Sequence, residues 1–565
     1  MPGWNRRNSP GPQGHRSTLE LERRSSMQSR RFLKLAAVLG LALGVAASHP
    51  SIAQTVGDAP VRGGILNVNI PTEPVGLNSG INTTMFIGEV ASKIQEGLIA
   101  FDADLQPVPS LATQWEVSPD GLTVSFDLRK GVKWHDGKDF TAADVAYTLK
   151  EVWQKLHPFG RSAFGNVTKV ETPNSHRIIL TLSAPAPYLL NYINAYGAPV
   201  LPRHLYEGTD VVNNPYNQKP VGTGPFVFKE WVKGSHIRLE RNPDYWKAGQ
   251  PFLDGIIVKF IPDVSARVVA LQSGEVDVVV GNALPVTSLR QFEDKSRYTI
   301  NLIDGNYLAT IAFAQFNVRS APLNDKRVRQ AFAHAVDRNA LLKVVYLGYG
   351  KIATGPVPSS VTKYYTPDTR QYAFDPKRAA QLLDEAGYKA GANGKRFRLR
   401  LIHDGAAGSP LSTRTAEFIK QALAKVGVDV ELQAPDFATM LRHVFTDQDY
   451  DILVSSMHRL PDPTLGVQRI FWTQNIRKGV PWTNGSGYSN PHLDAIMEQA
   501  AKEPDEQRRK AQIREWQQIV QEDVPLLELV EPVWITVSSA RFKKLALQAD
   551  GLFSSYADAW LEPRK

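Results

Sequence analysis

Two clusters of side chains in this 565-residue chain have types and spacing that could do chemistry. The first is His135-Asp136, an imidazole beside a carboxylate, which can relay a proton or begin a metal site. The second lies in residues 450–463, YDILVSSMHRLPDP, where His458, Arg459 and Asp462 follow an apolar run. Arginine offers a planar fork of donors suited to a carboxylate or phosphate, and it cannot anchor an ammonium group. Neither cluster is accompanied by the rest of a catalytic set. There is no G-x-S-x-G elbow, no P-loop, no H-E-x-x-H and no G-x-G-x-x-G after a strand. The twelve histidines are scattered without ligand spacing, and there is no cysteine. Thiolate metal sites, disulfides, a cysteine nucleophile and a lipid-anchored cysteine are therefore excluded. Gly137 after His135-Asp136 marks a turn, a better reading of that pair than catalysis or metal binding. Neither a cofactor nor a metal site is expected.

The formal net charge of +9 misleads. Residues 1–53 hold eight Lys/Arg against two Asp/Glu, which leaves 57 basic and 54 acidic residues in the remainder. No basic stripe with interleaved aromatics is present, so nucleic acid is not an expected partner. Arg30, Arg31 and Lys34 precede the apolar run LAAVLGLALGVAA, and Ser51-Ile52-Ala53 offers small residues for cleavage. This reads as a secretory signal peptide, too short for an ordinary membrane span. Ser29-Arg30-Arg31-Phe32-Leu33-Lys34 is similar to a twin-arginine signal without the usual spacer residue, so twin-arginine and general secretion both stay open. Residues 1–26 are polar and rich in Pro, Gly and Arg, and Met27 is the expected true start. No later segment is long and apolar enough for membrane insertion.

The elements that must position the two clusters are legible from periodicity. Residues 220–246, PVGTGPFVFKEWVKGSHIRLERNPDYW, read as a tight turn, a hairpin and an aromatic close, with Gly222 and Gly224 expected to supply backbone freedom. Residues 111–145 read as a β-meander that enters a helix capped by Thr141. Residues 253–280 read strand, helix, strand, and end in the β-branched run GEVDVVV of a parallel strand covered on both faces. LNDKRVRQAFAHAVDR, residues 323–338, reads as one helix with Val328, Ala331, Phe332, Ala335 and Val336 inward and its Lys/Arg residues in solvent. Alternating strands and helices between 375 and 432 argue for an α/β lobe.

In order, these stretches resemble the extracytoplasmic solute-binding proteins of the oligopeptide/dipeptide/nickel class, solute-binding protein family 5. The resemblance covers nearly all of the chain after about Ala53. It implies an α/β, two-lobed periplasmic binding protein fold with a hinge and an additional subdomain. The expected division is 54–85, 216–295 and 540–565 in the first lobe, 86–215 in the added subdomain and 296–539 in the second lobe. It also implies a monomer in the periplasm that captures a peptide or other small polar organic solute between its lobes for an ABC importer's membrane permease.

The resemblance places Met85 and Phe86 at the cleft, although Phe86 also fits an inward helical face. Asn306 and Tyr307 fall on a strand-to-cleft segment, and Trp472 opens a loop near the cleft. His458, Arg459 and Asp462 would supply polar contacts. In the peptide-binding members the Tyr-Asp strand runs into a Trp and then an Asp that pairs with the ligand's α-amino group. Here Met457 stands at the Trp place, and Arg459 or Leu460 at the Asp place. Arg459 either meets an acceptor on the ligand or pairs with Asp462. Two other readings remain: a nickel-chelate or metallophore binder, motivated by His458, and a secreted hydrolase or chaperone-like protein on the same scaffold. Terminal sequencing of the exported protein should begin at Gln54; a start within 1–26 would overturn the reading of the leader.

Overall fold

The structure, a computed structural model, describes residues 59–281, 283–303, 307–404, 410–544 and 551–563. The architecture below is that of Pro60–Lys565. The expected leader, cleavage site and Asn306 lie outside the described residues.

Two large sheets organise the chain. The first has seven strands, in the order Tyr298–Ile303, Trp534–Ser539, Val278–Val279, Ile65–Ile70, Gly255–Phe260, His236–Arg241 and Phe226–Val232. Its centre is parallel: Ile65–Ile70 pairs in that sense with both Gly255–Phe260 and Val278–Val279. The β-branched run at 278–280 is fully buried there, as expected of a strand covered on both faces. The second sheet has six strands, in the order Gly350–Ile352, Leu526–Pro532, Ala309–Phe316, Ile452–Arg459, Phe397–His403 and Val428–Gln433. A third, antiparallel sheet of Ala112–Val117, Thr123–Leu128, Arg177–Leu182 and Val167–Asn174 builds the added subdomain, whose core runs from Leu98 to Val211.

The sheets redraw the expected lobe boundaries. Tyr298–Ile303 and Trp534–Ser539, assigned by sequence to the second lobe, are hydrogen-bonded to each other inside the first sheet. The second sheet therefore begins at Ala309 and ends at Pro532, and the chain passes from one sheet to the other after Ile303 and again at Val533. The helix Met85–Ala91 also departs from the expected subdomain, because Val90 and Ile94 pack into the first-lobe core with Leu66, Val68 and Ile70.

The 220–246 stretch is where the first lobe grips the subdomain. Gly222 and Gly224 have ordinary negative φ, so the expected backbone freedom is not what they provide. What they provide is room. A Cβ at Gly222 would sit 1.8 Å from the Ile94 carbonyl oxygen, and one at Gly224 would sit 2.7 Å from it. The close approach lets Gly224 N–H donate to that carbonyl at 2.9 Å. Thr223 Oγ1, Tyr245 OH and Trp246 Nε1 all donate to the buried Glu96 carboxylate at 2.8–2.9 Å. His135 closes the same junction, with Nε2 against the Gly224 carbonyl at 2.9 Å and Nδ1 accepting from Gly222 N–H at 3.3 Å. Burial holds its ring neutral, pushed down to about 4. His204 Nε2 meets Asp136 at 2.6 Å. The His135-Asp136 pair is thus a structural turn.

The helix expected over 323–338 ends early, and a second begins at Arg338. Lys326–Ala335 stops where Val336 turns extended, and Asp337 caps Arg338–Val344 through the Ala340 N–H at 2.9 Å. The five inward residues are buried as expected, but Arg329 is not in solvent. It is 5% exposed and donates to the carbonyls of Leu323, Asn324, Asp523 and Val524.

Gly222→Ala should lower unfolding free energy by about 3 kcal/mol, since overpacking against fixed backbone costs this order. Denaturant unfolding measures it, and a loss below about 0.5 kcal/mol would mean that the junction is looser than described.

Candidate functional site

The strand Ile452–Arg459 carries the site, and its pleat splits the sequence-predicted residues. Successive side chains on a strand face opposite ways. Leu453 and Met457 pack into one core of the second lobe, and Ile452 and Val454 into the other. His458 and Arg459, expected to act together, therefore project to opposite faces of the sheet.

On the His458 face lies a cavity of about 450 Å³. The first lobe lines it with Arg267, Leu284, Pro285 and Trp534; the second lines it with Thr310, Tyr346, Thr415 and Ser456. His458 stacks on Trp534 with ring centroids 5.5 Å apart, and its Nδ1 sits 2.9 Å from Thr310 Oγ1. Burial, followed by Arg469 and Arg459, pushes the imidazole down to about 4. It is neutral near pH 7 and bridges the crossing between the sheets. Among the described residues no group of three His, Asp or Glu could hold a metal ion.

On the opposite face, Arg459 is 0% exposed and its guanidinium lies 5.8 Å from the Phe313 ring centroid. Its one ionic neighbour among the described residues is Glu528, at 3.6 Å, itself 1% exposed. That distance is too long for a hydrogen bond. Among the described residues, none of the three side-chain nitrogens of Arg459 has a hydrogen-bond partner, and neither has either carboxylate oxygen of Glu528. Burial pushes Glu528 up to about 7, with Arg459 opposing and Glu531 adding to the rise. A second arginine, Arg469, lies close by. Its Nη2 is 3.3 Å from Met457 Sδ, its guanidinium packs 5.0 Å from the Phe159 ring, and its buried Nε has no partner. Burial and the Arg459 charge push it down to about 10. From the subdomain, the buried Tyr192 hydroxyl is likewise without a hydrogen-bond partner among the described residues, and Arg469 acts on it electrostatically.

The other expected residues have different work. Asp462 is fully buried and does not pair with Arg459. It takes two parallel hydrogen bonds from Arg509, at 2.7 and 2.8 Å, accepts from Asn191 at 3.1 Å and caps the helix Pro463–Gly466 through the Thr464 N–H. Arg509 also donates to Tyr364 and Thr464. With its acceptor sites filled, Asp462 is a structural residue and not a free contact for a ligand. Trp472 is also corrected: its indole N–H donates to Glu498 at 3.0 Å and its ring packs against a second-lobe core. Tyr307 is buried in the seam with the subdomain, stacked on Phe101 at 5.5 Å, and its hydroxyl donates to the Asn191 carbonyl at 2.9 Å. Met85 packs between the first-lobe and subdomain cores, and Phe86 packs against the first-lobe core.

Glu528 and Arg469 were missed from sequence. The signal for Glu528 was an acid flanked by apolar residues in LLELVEP, a run that carries a second acid, Glu531, near its end and reads as plain core strand. Arg469 carried no signal beyond its helix.

Residues 106–475 match the family described as bacterial extracellular solute-binding proteins, family 5, middle region. The oligopeptide-binding protein AppA of Bacillus subtilis is 29% identical over 520 residues, which is 88% of this chain and 91% of AppA. Heme-binding protein A of Haemophilus influenzae is 28% identical over 77% of this chain and 81% of its own. The structure of B. subtilis AppA with a nonapeptide superposes with a TM-score of 0.74 at 26% identity, over 89% of this chain and all of that one. AgaA of A. tumefaciens R10 with agropinic acid does so at 0.71 and 26%, over 89% and 99%.

Asp462→Ala should cost about 3–5 kcal/mol of stability, because it strands the buried Arg509 charge. Chemical unfolding would show this; a stable variant with weakened ligand binding would instead return Asp462 to the ligand. The two-lobed architecture, the cavity between its sheets and the profile match agree: this chain belongs to the family 5 bacterial extracellular solute-binding proteins.

Proposed function

We propose that this protein is the periplasmic substrate-binding component of an ABC importer and captures a peptide or other small polar organic solute between its lobes. The observation that carries the reading is the 450 Å³ cavity enclosed by both lobes beside the two chain crossings. A ligand there touches both sheets at once and so favours the form that brings them together. That form is what a membrane permease would recognise. Relatives named for oligopeptides, dipeptides and heme support solute capture as the shared task. The protein acts as a monomer and binds without turnover. No helix among the described residues is long and apolar enough to cross a membrane, which fits a protein that meets its permease from outside.

Of the other readings, the nickel chelate has only His458 behind it, and that ring is engaged with Thr310 and Trp534. Nothing in the cavity favours hydrolysis.

Native mass spectrometry of residues 54–565, purified from the periplasm without refolding, should show a bound small organic mass that is lost on denaturation. Titrating the stripped protein with that solute at about 100 times its dissociation constant should stabilise it by roughly 2.7 kcal/mol. Turnover of the solute, or loss of binding after metal chelation, would overturn this reading.

A further inference from the structure

The lining of the interlobe cavity carries one sign of charge. Each lobe gives it an arginine, Arg267 from the first and Arg414 from the second, and the described residues around it include no Asp or Glu. Arg267 is buried on the helix Val264–Ser273. Its guanidinium donates to the backbone carbonyls of Pro262, Asp263 and Ala283, which orient it without cancelling its charge. The Asp263 carboxylate supports that charge from outside the lining, where it caps the helix through the Ala266 N–H at 2.7 Å. Arg414, on the helix Pro410–Ala424, is exposed, and among the described residues it has neither an ion pair nor a hydrogen bond. Asp404 stands behind the second-lobe wall, off the lining, and accepts from Ser455 Oγ at 3.2 Å. The other polar groups on the lining are neutral, His458 among them. Much of the wall is apolar, with Leu284, Trp534 and Ile535 as its bulk.

Two like charges on one enclosed space repel, and nothing on the lining offsets them. An anion placed between the lobes turns that repulsion into two attractions, and a guanidinium suits a carboxylate or phosphate. An ammonium group meets the reverse: two cations oppose it and no carboxylate on the lining pairs with it. At about 450 Å³ the space suits a small organic molecule.

We propose that the captured solute is an organic anion with an apolar body and no free ammonium group, its head held by Arg414 and Arg267 and its body laid against Trp534 and Leu284. This rests on the reading of the chain as a solute-binding protein and narrows the solute to one class. The solute's polarity is then concentrated at one end. Arg267 is fixed in advance by its carbonyls, whereas Arg414 is engaged only by the ligand, so Arg414 sets the specificity. The two arginines belong to opposite lobes, so the anion that fills the cavity also removes a repulsion that opposes closure.

Calorimetric titration of the mature chain, residues 54–565, stripped of solute, tests the class with three probes of one shape. They are N-acetylphenylalanine (an anion), N-acetylphenylalaninamide (neutral) and phenylalaninamide (a cation). The anion should bind about tenfold more tightly than the neutral probe, and the cation more weakly than either. Phenyl phosphate, run beside the carboxylate, tells which anionic head fits; tighter binding by either sustains the class. Arg414→Met should weaken the anion about tenfold and leave the neutral probe and the thermal midpoint unchanged. Arg414→Glu should reverse the order, with the cation bound best. Equal affinity for the three probes, preference for the cation, or undiminished binding of the anion by Arg414→Met overturns the proposal. If no probe binds, the solute that co-purifies from the periplasm decides. One that carries an acidic group, lacks a free ammonium group and is missing from Arg414→Glu sustains the class. One without an acidic group, with a free ammonium group, or retained by Arg414→Glu overturns it and leaves the solute-binding reading standing. No solute and no bound probe overturns both.

Discussion

A single buried carboxylate, Glu96, ties the first lobe to the added subdomain. Three donors from the 220–246 stretch converge on it, and burial raises its pKa despite them. A carboxylate placed so deep is tolerable only when its oxygens are hydrogen-bonded. The constraint spreads outward. Thr223 can reach Glu96 only if the flanking residues lie flat on the Ile94 carbonyl, so positions 222 and 224 have no space for a side chain. His135 then fills the remaining gap against the same two glycines. Lobe and subdomain are locked together, and the chain passes between the two large sheets after Ile303 and again at Val533.

The two buried arginine–carboxylate pairs of the second lobe show opposite solutions to one problem. Arg509 and Asp462 meet in parallel hydrogen bonds, with Thr464, Tyr364 and Asn191 taking the remaining sites. Nothing is left over, and the pair acts as a clasp. Arg459 and Glu528 meet at 3.6 Å with no hydrogen bond between them. Removing charges from water is costly unless geometry and hydrogen bonds compensate. The clasp compensates internally; the second pair, among the described residues, makes no hydrogen bond at all.

The sequence disclosed the scaffold more readily than the site. The β-branched 278–280 run, the stripe from Val328 to Val336 and the 220–246 hairpin follow from period and turn chemistry, and they stand as read. The lobe boundaries did not follow, because Trp534–Ser539 continues apolar strand character directly from Leu526–Pro532. Only hydrogen-bond partners reveal that one belongs to each sheet. Arg459 stood out because an arginine occupied a place where a carboxylate was expected. Asp462 misled because its neighbours in sequence hide its partner, 47 residues away in Arg509. The division of His458 from Arg459 was implicit in strand geometry, since adjacent residues cannot share a face.

The clasp of Arg509 and Asp462 has a consequence for assembly. Its two halves lie 47 residues apart, and Asn191 of the subdomain reaches the same carboxylate. A second lobe formed by itself would leave that third acceptor place unmet in a buried position, which is costly. Lobe and subdomain therefore complete their packing as one step, and a chain that stops short of Arg509 would lose the junction to the subdomain together with its own helix cap at Thr464.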